Sequence, residues 1–61
     1  MKVREAIKLV EADGWRMLSQ KGSHRQYKHP VKKGPVTIAG HAATELAPKT
    51  KSSILKQAGL K

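Results

Sequence analysis

Between Val3 and Asp13 the apolar residues recur at helical spacing: Val3, Ala6, Ile7 and Val10 form one stripe, which Leu9 widens. Arg4, Glu5, Lys8 and Glu11 lie on the wetter side, where Lys8 is placed to pair with Glu11 three residues on. Gly14 follows, the residue type that most readily takes the left-handed conformation at a helix end. The pattern predicts an amphipathic helix over Val3–Asp13 whose stripe must pack on another element.

The period then changes. Trp15 to Gln20 mixes aromatic, apolar and polar residues as a short strand does, and Lys21-Gly22-Ser23 reads as a turn. A second strand runs from His24 to His29, with Tyr27 inside it and Pro30 as its stop. Val31-Lys32-Lys33-Gly34 makes another turn, and Pro35 to Ala39 carries the β-rich run Val36-Thr37-Ile38. Gly40 to Leu46 has no pattern. Pro48 suits the first position of a final helix through Ile54 and Leu55 to Ala58, with Gly59 as its stop and Leu60 able to fold back on the last turn. Three short strands joined by tight turns make an antiparallel meander. The expected fold is α+β, helix–three-stranded antiparallel sheet–helix, with both helices on one sheet face and the other face wet.

Length and charge sharpen this picture. A chain of 61 residues is a single domain, 1–61, with no repeat or linker. Chains of this size bury only about 60% of the surface the unfolded form exposes, so the core is thin. No cysteine is present to staple it. No apolar run approaches the roughly 20 residues that span a bilayer, and the N-terminal segment is amphipathic rather than a signal peptide. A soluble, cytoplasmic protein without a membrane partner is expected. Thirteen Lys and Arg against four Asp and Glu give a net charge of +9, a self-repelling excess that a polyanion would relieve. Nucleic acid is the leading partner, ahead of an acidic protein or membrane.

Three histidines bear on chemistry: His24, His29 and His41. They lack Cys and have few carboxylates nearby, and a separation of five positions from His24 to His29 is no zinc spacing, so no metal site is expected. Alternation in the second strand puts His24, Gln26 and Lys28 on one face and Arg25, Tyr27 and His29 on the other. Tyr27 belongs with the helices, so His24 points to the open, basic side. An imidazole there can exchange a proton with RNA, which brings its own nucleophile, the 2′-hydroxyl. The plainer role for His24 is a hydrogen bond within its turn. Lys21, Ser23, Arg25, Lys28, Lys32 and Lys33 gather on the meander as a candidate RNA-contact surface, although lysines also guard sheet edges against aggregation. Trp15 and Tyr27 are better suited to the core than to base stacking. Lys49, Lys51 and Lys56 offer a further basic patch on the last helix.

The run Gly22-Ser23-His24-Arg25-Gln26-Tyr27, ahead of Pro30, resembles the signature of the HicA toxin family. The likeness extends to Glu11-Ala12-Asp13-Gly14-Trp15, Val36-Thr37-Ile38, His41, Glu45-Leu46 and Ser53-Ile54-Leu55-Lys56-Gln57-Ala58-Gly59-Leu60. It implies a fold like the double-stranded-RNA-binding domain, messenger-RNA endonuclease activity without a cofactor, and a HicB-type antitoxin as partner. It also implies that His24 is the catalytic residue. The phosphate-holding roles of Lys21, Arg25 and Lys28 are inferred from their charge, and His29 and His41 are the candidates for an acid–base partner. The family often has Pro, Gly and Leu where Ala39, Lys49 and Lys51 stand, departures that bear on the last helix. A non-catalytic module that binds structured RNA by shape is the alternative.

Overall fold

Two helices and three strands occur in the predicted order: α1 (Val3–Ala12), β1 (Arg16–Lys21), β2 (His24–Lys28), β3 (Val36–Ala39) and α2 (Pro48–Gln57). They are seen in a computed structural model that describes Met1–Lys61. The strands form one antiparallel sheet in the order β1-β2-β3, a meander. Val3, Ala6 and Val10 of α1 meet Tyr27, Val36 and Ile38 of the sheet and Ile54 and Ala58 at α2, with Trp15 and Leu46 closing the cluster. No polar or charged residue is buried. The helices pack on β3, with Tyr27 of β2 in the same cluster, whereas every residue of β1 is exposed.

Element ends move by a residue, and two surface expectations fail. Leu9 does not widen the stripe: it is 42% exposed, because Val3, Ala6 and Val10 already fill the contact with the thin sheet. Lys8 and Glu11 form no ion pair, as solvated charges often do not.

Both helices stop by the same device. In α1 the N–H groups of Gly14 and Trp15 donate back to the carbonyls of Glu11 and Val10, at 3.0 Å each. In α2 those of Gly59 and Leu60 donate to Lys56 and Leu55, at 3.1 and 2.8 Å. These are Schellman motifs, with Gly14 and Gly59 at φ of 106° and 71° in the position that requires the left-handed region. Gly40–Leu46, patternless in sequence, earns its order at the start of α1. The carbonyls of Ala42 and Thr44 accept the free N–H groups of Arg4 and Val3, and the Glu5 carboxylate accepts that of Lys2. Leu46 N–H bonds Met1, and Glu45 pairs with the amino terminus.

The two helix ends meet at one corner. Trp15, fully buried, donates its indole N–H to the Ala58 carbonyl at 3.3 Å. Its ring packs edge-on against His29, with centroids 5.2 Å apart, and lies against Gly34. Lys32 reaches the same corner, pairs with Asp13 and donates to Ala58 O at 3.1 Å. Its cation thus meets both a carboxylate and the negative end of α2.

Two outcomes follow from the corner. A Cβ at Gly34 would lie 2.7 Å from the Trp15 ring, so Gly34→Ala is expected to cost about 1–3 kcal/mol, read from urea unfolding. The Lys32 ammonium holds the Asp13 carboxyl below its usual range, as the Lys2 N–H does for Glu5. A depressed carboxyl stabilises the fold above pH about 4 and loses that contribution as the pH falls through its folded value. Asp13→Asn is therefore less stable than the parent at neutral pH, with a smaller further loss on acidification.

Candidate functional site

The open sheet face owes its composition to one irregularity. Arg16 pairs with Lys28 and Met17 with Tyr27, but Gln26 then pairs with Ser19, leaving Leu18 as a bulge. Strict alternation from Arg16 would have turned Lys21 toward the helix side; the extra residue restores it to the open face. Lys21 stands directly opposite His24, and Ser19 opposite Gln26. Gly22-Ser23 joins the strands as a two-residue turn, with Gly22 at φ 59° and the Gln20 amide donating to Gly22 O at 3.0 Å.

Ser19, Lys21, His24 and Gln26 line an open hollow of about 560 Å³. None of them is buried, and no intramolecular side-chain hydrogen bond occupies the His24 ring. The plain role of a turn-bonding histidine is thus absent. Lys28 continues the face below Gln26, and Lys33 borders it across a recess shared with Leu18 and Pro35. Neither ammonium has an intramolecular partner. Imidazole, three free ammonium groups and two small polar side chains make a surface suited to a phosphodiester and a proton transfer.

Two basic residues grouped with this surface leave it, and so does one candidate partner for His24. Arg25 lies on the helix side, half-buried, and donates from Nη1 to the Gly40 carbonyl at 3.0 Å. With Ser23, whose carbonyl takes the Gly40 N–H at 3.2 Å, it fixes the chain leaving β3. Lys32 is committed to Asp13 and the end of α2. His29 falls just outside β2 and turns its ring inward. Its Nδ1 accepts the N–H groups of Val31 and Lys32, both at 3.0 Å, which leaves Nε2 as the protonated nitrogen, donating to Asp13 O at 2.8 Å. With both nitrogens engaged, His29 is no acid–base partner for His24. His41 is exposed in the loop after β3.

Ser19 was missed because a bulge is invisible to an alternating pattern. Gln26 was readable as His24's neighbour on the same face, two residues along the strand.

A family model described as the HicA toxin of bacterial toxin–antitoxin matches residues 3–60. The chain belongs to the HicA toxin family. It is accordingly the toxin side of a toxin–antitoxin pair. It is also similar to a solved structure described as a toxin–antitoxin complex from Streptococcus pneumoniae. The TM-score is 0.79 and the identity 38%, over 98% of each chain. No curated protein matches it significantly.

The division of the lysines is open to measurement. Lys32→Gln lowers the unfolding midpoint and leaves the salt dependence of polyanion binding unchanged. Lys21→Gln does the reverse, flattening the log–log salt slope for single-stranded RNA by about 0.7.

Proposed function

We propose that this HicA-family protein is a metal-independent messenger-RNA endonuclease, neutralised in the cytoplasm by a HicB-type antitoxin, with His24 as its catalytic residue. The observation that carries the reading is the environment of His24: exposed on the open sheet face, directly across from Lys21, with no intramolecular partner for its ring.

RNA needs little from such a site. The neutral imidazole takes the proton of a 2′-hydroxyl, and the oxygen attacks the adjacent phosphorus. As the bond to the 5′-oxygen breaks, that oxygen takes a proton from water or from the imidazolium just formed. Lys21, one strand away, offsets charge on the phosphorane, while Lys28 and Lys33 hold flanking phosphates. Ser23 shapes the turn through its backbone. Arg25 and Lys32, engaged elsewhere, have no part in phosphate binding here. Positioning accounts for much of the rate, since nucleophile and phosphorus belong to one substrate.

Cleavage of a long labelled messenger RNA in excess chelator tests the proposal. The parent is expected to cut, and His24→Ala to lose cleavage by at least two orders of magnitude, in keeping with the loss of a general base, while keeping its circular dichroism and RNA affinity. A His24→Ala protein that cuts at the parental rate refutes the role of His24. A parent that binds RNA without cutting makes this a shape-recognising RNA-binding module instead.

A further inference from the structure

A second cationic surface lies on α2, in the layer away from His24. Lys49, Ser52, Ser53, Lys56 and Lys61 line a hollow of about 620 Å³ with no apolar residue among them. Lys49, Ser52, Ser53 and Lys56 are spaced at i, i+3, i+4 and i+7, one stripe along the helix. Lys56 stands two residues past the buried Ile54, about 200° round the helix, so the stripe faces away from the core. The tail folds back over it, with Lys61 Nζ donating to Ser52 Oγ at 2.6 Å.

These ammonium groups have no counter-charge. From Leu46 to Lys61 the chain contains no Asp or Glu. Of the four acids, Asp13 is taken by Lys32, Glu45 by the amino terminus and Glu5 by the Lys2 N–H, and Glu11 lies on α1. Lys32 shows how this fold treats a lysine that serves its stability: it is paired and aimed at helix carbonyls. Lys49 and Lys56 are neither.

We infer that the α2 stripe is a binding site for the phosphodiester backbone of RNA outside the cleaved bond, a proposal that rests on the ribonuclease reading for the identity of the polyanion. The lining favours a polyanion over a protein or a membrane. Protein interfaces concentrate their energy in apolar and aromatic anchors, and membrane-surface helices insert apolar side chains; this hollow has neither. A phosphate chain needs only spaced cations. Lys49 and Lys56 are about 10 Å apart along the helix, the reach of about three phosphates at about 3.4 Å each. The protein's longest dimension is 28 Å, so an RNA of about ten nucleotides is long enough to serve both layers.

The test measures binding of labelled single-stranded RNA across a salt series, in a His24→Ala background that keeps the RNA intact. K49Q/K56Q/K61Q is expected to flatten the log–log salt slope by about 2 for a 20-nucleotide RNA and to leave a four-nucleotide RNA unaffected. A control with the same charge removed from α1 and the residue that precedes it, K2Q/R4Q/K8Q, keeps the parental slope. If the triple variant loses its circular dichroism, K49Q/K56Q replaces it, with a flattening of about 1.4. An unchanged slope overturns the site, and so does equal flattening by the control or an equal effect on the short RNA. RNA binding that survives in the variant while binding of the antitoxin is lost makes the stripe a protein surface and also overturns it. Cleavage is scored separately with His24 restored: parental protein that binds with the full slope but cuts nothing refutes the endonuclease reading and leaves the α2 site standing.

Discussion

The Trp15 indole is the contact on which the two layers depend. It is the residue at which the α1 Schellman motif closes, and its N–H reaches the carbonyl that ends α2. A core of ten residues has no redundancy, and no disulfide supplements this one. His29, Lys32 and Gly34, all from the loop between β2 and β3, are spent on seating that ring and the helix ends around it. The longest loop of the meander is therefore bound to the core through Trp15 and the helix ends.

Charge divides along the same line. The interior corner neutralises what it uses: Lys32 with Asp13, and His29 as an uncharged ring with both nitrogens bonded. Much of what remains of the +9 is carried by ammonium groups without a carboxylate partner, among them those on the open sheet face and on the outer stripe of α2. A fold stabilised by surface ion pairs would not leave its lysines so segregated. The repulsion is tolerated because each surface is bathed in water and counter-ions until a polyanion displaces them.

Much of this was legible in the sequence, for identifiable reasons. The stripe Val3, Ala6, Val10 and the glycines after it define α1, and Tyr27 among polar neighbours tells which face of β2 is wet. The type of fold and the exposure of His24 follow from those two patterns. The roles of the basic residues do not. Arg25, Lys28, Lys32 and Lys33 are equivalent as a composition, and only the fold reveals that Asp13, nineteen residues from Lys32, claims one of them and the Gly40 carbonyl another. Phase in β1 was equally hidden, since the bulge at Leu18 depends on pairing with β2 and leaves no mark on β1 alone. The loop Gly40–Leu46 looked structureless because its contribution is made by backbone carbonyls, which every residue type has.

The two cationic surfaces differ in what can cover them. At the sheet, Leu18 is 62% exposed at the bulge of β1, beside the recess that Lys28 and Lys33 share. A protein that closes over His24 finds an apolar anchor there, and it must bring carboxylates to Lys21, Lys28 and Lys33, because an ammonium buried without a partner costs several kcal/mol. The α2 stripe offers the charge without the anchor. One face thus suits an occupant that must be held firmly and the other suits a strand that slides and exchanges with salt, a division set by the exposed Leu18 on β1 and the absence of an apolar residue from the outer side of α2.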